Sequence, residues 1–315
     1  MKTKILTIAL CLTGILPQTI QAQTTIQSTD SVKIVHLSTN QGETLPGYYI
    51  ADAITDKILA PLKGYDYVSD YKEGLASVES YEQCGFIDKT GKLVVPMIYE
   101  RVKDFHEGLA LVKLNGKWGY VDKTGNVVIP MKYDGFSWFR TGCGNFRDGL
   151  AMVTLDNKYG FIDKTGKIVV SIIYEDAKDY IEGLAAIKLY GKWGYIDKSG
   201  KMIIQPEYKF ANVFQEGLAA VQLNGKWGFI DKTGKVVVPF LYNENDNMGL
   251  IGFKNGLAVV ELNGKYGYID KTGKIVIPFV YDDANSFNDN KAHVQLGEEK
   301  FYINKAGVKI EDYKK

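Results

Sequence analysis

The chain has 315 residues, with 38 Lys and Arg against 37 Asp and Glu and a formal net charge of +1. Hydrophobic residues at 45% and charged residues at 24% are globular proportions and exclude wholesale disorder. The even charge removes the electrostatic footprint of a nucleic-acid binder, and 33 Gly with 21 Tyr point to short strands and tight turns.

Met1–Ala22 reads as a removable export leader. Lys2 and Lys4 form a positive start, Ile5–Leu16 is an apolar run too short to span a bilayer, Pro17 breaks it, and Ala22 is a small residue suited to cleavage. No later apolar run reaches membrane-spanning length, so the mature chain is expected to be periplasmic or secreted, with no transmembrane segment. Residues 23–47, rich in Thr, Ser and Gln, are expected as a stalk or a weak first strand. Residues 48–64 are expected as a degenerate half-repeat that caps an array, because Ile54-Thr-Asp-Lys-Ile-Leu-Ala-Pro61 echoes Ile269-Asp-Lys-Thr-Gly-Lys-Ile-Val-Ile-Pro278 with deletions. Two cysteines, Cys84 and Cys143, follow the leader. An exported compartment permits a bridge between them, while Cys84 also fits as a core substitution at a position where other copies carry Trp or Tyr.

From residue 65 to the end the chain repeats. Turn aspartates recur at Asp88, Asp122, Asp163, Asp197, Asp231 and Asp270, with Asn304 as a degenerate seventh, and a Tyr opens each unit from Tyr65 to Tyr281. The basic step is 34 residues, and two steps lengthen to 41 and 39. Both extra segments fall in the same connection, near 135–147 and 243–254. Seven units result. In the last, Lys291 replaces the expected Leu and Phe301-Tyr302 is read in place of the Trp-Gly pair; such atypical ends are what an array requires where a neighbour is missing.

Each unit reads as a three-stranded antiparallel meander. Leu109–Leu114 is a strand candidate, and Asn115-Gly116 supplies the positive φ pair of a type I′ hairpin turn. Lys117-Trp-Gly-Tyr-Val121 follows, then Asp122-Lys-Thr-Gly125 as a turn held by its aspartate, then Val127–Ile129, stopped by Pro130. Glycine in mid-strand, as at Gly119, Gly194 and Gly228, leaves room for close backbone approach. Such a meander cannot bury both faces alone, so neighbours must provide the core. The fold is therefore expected to be an all-β tandem array, an open β-solenoid by preference and a closed seven-bladed propeller-like ring as the alternative.

Gly116-Lys-Trp-Gly-Tyr-Val-Asp-Lys-Thr-Gly125, Gly191-Lys-Trp-Gly-Tyr-Ile-Asp-Lys-Ser-Gly200 and Gly225-Lys-Trp-Gly-Phe-Ile-Asp-Lys-Thr-Gly234 resemble the WG (KWG) repeat family of bacterial exported proteins. The resemblance covers about Tyr65 to Ile310, with Cys84, Tyr159, Tyr266 and Phe301 read as departures at the Trp position. It implies an all-β repeat protein, often exported, with no assigned catalytic residues.

The remaining chemistry is sparse. A single turn carboxylate falls short of the six or more oxygens that calcium takes, and His36, His106 and His293 lack metal-ligand spacing. No nucleophile-elbow, zincin or phosphate-loop motif occurs. No catalytic residue, metal or cofactor is expected. Trp118, Trp193 and Trp227 are assigned to the repeat core with their glycines. The segment that escapes the repeat is the longer insertion, with Phe136, Trp138, Phe139, Arg140 and Arg147. It holds the one Trp outside the motif and two of the three Arg, the residue types most enriched at binding hot spots. It is read either as a recognition loop or as a plug folded onto the neighbouring unit. The preferred function is a non-catalytic exported protein presenting a binding surface to a cell-envelope protein or glycan. The rivals are an envelope hydrolase or carbohydrate-processing enzyme with a site between repeats, and a structural spacer.

Overall fold

The computed structural model describes residues 20–23, 32–39, 44–134, 144–243 and 252–312. Among them there is no helix, and so none long and apolar enough to cross a membrane. The chain divides into two compact units, residues 1–156 with 162–167, and 157–161 with 168–315. The first holds an N-terminal sheet and the first two repeats, the second holds repeats four to seven, and the division falls within the third repeat.

The three strands expected of each repeat are present, and in every repeat but the third the connection adds a fourth. The second repeat comprises Arg101–His106, Leu109–Leu114, Lys117–Asp122 and Val127–Tyr133, in that order across one antiparallel sheet. The added outer strand is shorter elsewhere, as Tyr67–Val68, Asp176–Ala177, Phe210–Ala211, Phe253–Lys254 and Asp283–Ala284. A second two-residue hairpin creates it. Glu107 and Gly108 both take positive φ, as Asn115 and Gly116 do, so this repeat turns twice through the type I′ geometry that matches strand twist, as the others do except the last, where Gly297 takes positive φ without Glu298. The third repeat contributes three strands, Leu150–Leu155, Lys158–Asp163 and Ile168–Tyr174.

Strands such as Leu184–Leu189 are apolar without alternation because both faces are covered. In the second unit, Leu184, Ala186, Trp193, Tyr195, Ile204 and Tyr208 of one sheet share a core with Ala211, Phe214, Ala219, Val221 and Ile230 of the next. The same positions join the fifth sheet to the sixth and the sixth to the seventh. In the first unit, Leu75, Phe86, Val95 and Tyr99 meet Phe105, Ala110, Val112 and Val121 likewise. Face-to-face stacking of this kind is common to the open and the closed array.

The mid-strand glycine answers a bulge. Trp118 pairs with Tyr133 and Tyr120 with Ile129, so three residues of the third strand oppose Gly119 alone. A Cβ on Gly119 would stand 2.5 Å from the Ile129 carbonyl oxygen and 2.8 Å from the Met131 nitrogen. Where the bulge is missing, so is the glycine. Register places Lys300 and Phe301, not Phe301 and Tyr302, at the Trp and Gly positions of the last repeat, and Phe301 pairs with Asp312 without a shift there.

The N-terminal segment departs from the half-repeat reading. Ile20–Gln23, Val32–Thr39, Thr44–Asp52 and Ile58–Leu62 form a complete four-stranded sheet. Its turn aspartate is Asp52, not Asp56 as the sequence echo placed it. Asp52 Oδ1 accepts from the Ile54 and Thr55 amides at 3.0 and 2.7 Å, and Asp56 occupies the left-handed position that glycine fills elsewhere. One extra turn residue hid the match. Tyr49 holds the glycine position there, opposite Pro61 in unbroken register.

Candidate functional site

The scaffold uses its own charges in three recurring ways. Each turn aspartate serves its turn: Asp231 Oδ1 accepts from the Thr233 amide at 2.9 Å, the Thr233 hydroxyl at 2.6 Å and the Lys235 amide at 3.1 Å. An acid after the closing Tyr holds the next Asn-Gly-type turn, as Glu175 accepts from the Gly191 amide at 2.9 Å. The third contact joins neighbouring repeats. Glu73 accepts from the Glu107 and Gly108 amides at 2.6 and 3.0 Å and pairs with Lys123 at 3.1 Å. Glu107 does the same to Gly149 and Lys164, Glu182 to Gly217 and Lys232, and Glu216 to Gly256 and Lys271. The clasp was absent from the sequence reading. Its signal was a Glu before Gly in a tight turn, where Glu adopts a left-handed conformation that disfavours it.

These contacts fix the carboxylate pKa values. The threonine hydroxyl first, then the turn amides, hold Asp88 and Asp231 below the usual aspartate range. Partial burial pushes Glu73 up, but the Lys123 ammonium and the two amides outweigh it and leave the net value lowered. At the other end of the scale, burial raises the core phenols, Tyr71 to about 12 and Tyr195 and Tyr268 further. A depressed folded pKa gives stability that is present above the unfolded value and lost as pH falls through the folded one; a raised phenol gives stability present below its unfolded value and lost as pH rises. Urea unfolding followed against pH should therefore show a plateau with an acid limb below about 4 and an alkaline limb above about 10. An alkaline limb that precedes tyrosinate absorbance would refute the assignment to the buried phenols.

Of the predicted site residues, Phe136, Trp138, Phe139 and Arg140 lie outside the described residues, as does Cys143. Arg147 is exposed and starts the Asp148-Gly149 hairpin, its amide donating to the Leu150 carbonyl at 2.9 Å. Both ends of the longer insertion are anchored. Asp134, immediately before it, pairs with Lys117 and accepts from the Asp156 amide at 2.6 Å. Toward its far end, the Gly144 carbonyl accepts from the Tyr120 hydroxyl at 2.5 Å, and Phe146, 1% exposed, packs edge-on to the Tyr120 ring. The shorter insertion has the same frame, although residues 244–251 lie outside the described ones. Asn243 pairs with Lys226 and Glu261 at one end, and Phe253 packs on Phe229 at the other.

The repeat tryptophans differ in burial. Trp193 and Trp227 are 5% and 1% exposed, and Trp118 is half-buried. Cys84 is buried at the Trp position, with its thiol directed at the Glu100 carbonyl 3.8 Å away.

A family model described as the WG containing repeat matches six successive windows, residues 85–118, 118–159, 159–193, 193–227, 227–266 and 266–299. No curated protein matches the chain. Among solved structures, the chain is similar to a eukaryotic initiation factor at 10% identity and TM-score 0.48, covering 93% of this chain and 89% of that one. It is also similar to BamB from Moraxella catarrhalis, at 11% identity and TM-score 0.38 with 91% and 95% covered. AztD from Citrobacter koseri matches at 13% identity and TM-score 0.39, with 85% and 91% covered.

Proposed function

We propose a function for a chain that belongs to the WG-containing repeat family: a non-catalytic exported protein that presents a binding surface to a cell-envelope protein or glycan. The observation that carries this reading is the division of labour among polar side chains. Turn aspartates, hairpin acids and the Glu–Lys clasps close the scaffold on itself. The longer insertion is extra to the repeat, starts and ends at anchored residues, and carries Trp138, Arg140 and Arg147. Binding residues concentrate on loops held by a rigid scaffold, where side chains are free of packing duties.

Export rests on the leader. Cleavage after Ala22 removes all but Gln23 of the first strand and leaves the other three strands of that sheet whole. The protein recovered from its source should then begin at Gln23. In that mature protein, a Trp138→Ala, Arg140→Ala double variant should keep its melting temperature within a few degrees, as surface changes of about 0.5 kcal/mol do. Its affinity for the envelope ligand, protein or glycan, should fall at least about tenfold, or about 1.4 kcal/mol. A variant that melts markedly lower makes the insertion a plug, and a stable variant with unchanged binding sinks the loop reading.

A further inference from the structure

Where the N-terminal sheet meets the first repeat, a corner gathers several aromatic side chains. The His36 and Tyr48 rings lie 4.8 Å apart, and Tyr48 meets Tyr67 edge-on at 6.2 Å. Tyr48 occupies the Trp position of its sheet. Tyr67 stands where other repeats place Arg101, Asp176, Phe210 and Asp283, and is 51% exposed. Tyr81 tips the hairpin of the same sheet and is 92% exposed. It has φ +47°, followed by Glu82 at +62°, where three repeats use Asn-Gly and the fourth repeat uses Tyr190-Gly191, with Tyr190 likewise left-handed and 87% exposed. A bulky residue in that region is an outlier, and one so exposed gains little packing to offset the strain.

Carboxylates lie beside Tyr67 and the Tyr81 turn. Asp66 Oδ2 accepts from the Tyr81 amide at 3.0 Å, and Glu79 lies directly across from Tyr67. Burial raises the Tyr67 phenol, and Tyr48, Asp104, Asp70 and Glu79 raise it further. Asp70 is raised by burial and by Asp104, against the opposing pull of Lys72. The basic groups acting on this corner are Lys72 and Arg101, the latter felt at Cys84. Acids outnumber them, and exposed phenol faces beside acids are complementary to a cation.

We propose that this corner, built by Tyr48, Tyr67 and Tyr81 with Asp70, Glu79 and Asp104, binds a lysine or arginine side chain on an exposed basic segment of a partner protein. It goes beyond the function proposed above, since none of these residues belongs to either insertion. The test is fluorescence anisotropy of a labelled peptide of alternating Gly and Arg, titrated with the mature chain. The peptide should bind, more weakly as salt rises, and its citrulline counterpart should not. Tyr67→Ala should weaken binding at least about tenfold. Tyr81→Asn, which restores the usual turn residue, should also weaken it while holding or raising the melting temperature. The Trp138→Ala, Arg140→Ala variant should bind the peptide as the parent does, which separates this site from the insertion. Equal binding by Tyr67→Ala, absence of binding by the parent, or displacement of the peptide by a neutral oligosaccharide would each overturn the proposal, the last in favour of a glycan site.

Discussion

Trp193→Ala should destabilise the chain by about 3–5 kcal/mol, the range for removing a large aromatic from a core. The indole lies within one shared core. On its own sheet it packs with Leu184, Ala186, Tyr195, Ile204 and Tyr208, and Phe214, Val221 and Ile230 come from the next. Lys178 covers the ring from 5.5 Å and donates at 3.0 Å to Asn212, a residue of the following repeat. Truncation therefore loosens an interface as well as a sheet. In an array whose stability is a sum of units and nearest-neighbour interfaces, weakening one interface uncouples the two sides. Denaturant unfolding of the variant should show a lower midpoint with a broadened or split transition. Trp118→Ala, at a half-buried indole, should lose less. A loss under about 1 kcal/mol at Trp193 would mean that the indole contributes little packing, contrary to its burial.

The parts of the fold legible beforehand were those with a short-range cause. Asn115-Gly116, Asn224-Gly225 and Asn263-Gly264 specify their own backbone and adopt the positive φ pair expected of them. Asp-Lys-Thr-Gly turns are equally local, since the aspartate bonds amides two and four residues on. What escaped depended on neighbours. The outer strand exists because Phe210–Ala211 finds Val221 and Gln222 to pair with, and two residues carry no periodicity. The Glu182 clasp reaches the Gly217 amide 35 residues away, so its partner is invisible within one unit. The N-terminal sheet escaped because its degenerate turn gained a residue and Tyr49 replaced the glycine that marks the motif. Of the candidate site, Trp138 and Arg140 were found by being surplus to the repeat. Tyr48, Tyr67 and Tyr81 were not, since a Tyr-rich repeat hides three more tyrosines until their exposure is known.

Gly194→Ala should lose about 3 kcal/mol, the upper part of the range for overpacking, although the removed residue has no side chain. Two opposing effects set the sign. Alanine restricts the unfolded chain more than glycine does, which alone favours the variant by about 0.4–1 kcal/mol at a compatible backbone conformation. Gly194 has such a conformation, since its φ is not positive. Space decides against it. Trp193 pairs with Tyr208 and Tyr195 with Ile204, so Gln205, Pro206 and Glu207 bulge over this one residue. A Cβ would lie 2.5 Å from the Ile204 oxygen, 2.8 Å from the Pro206 nitrogen and 2.9 Å from the Gln205 carbonyl carbon. All three are backbone atoms, which cannot turn aside as a side chain does. Relief requires moving the third strand, and Ile204 and Tyr208 on it are core residues shared with the next sheet. Gly183→Ala is the control. Its φ is +90° and nothing lies within 4 Å of its Cβ position, so it should lose only the conformational preference of about 1 kcal/mol. The two variants, compared by urea midpoint at constant m-value, separate steric from conformational need for glycine. Should Gly194→Ala prove neutral or stabilising, the bulge yields to a methyl group, and close backbone approach is not why these strands carry glycine after tryptophan.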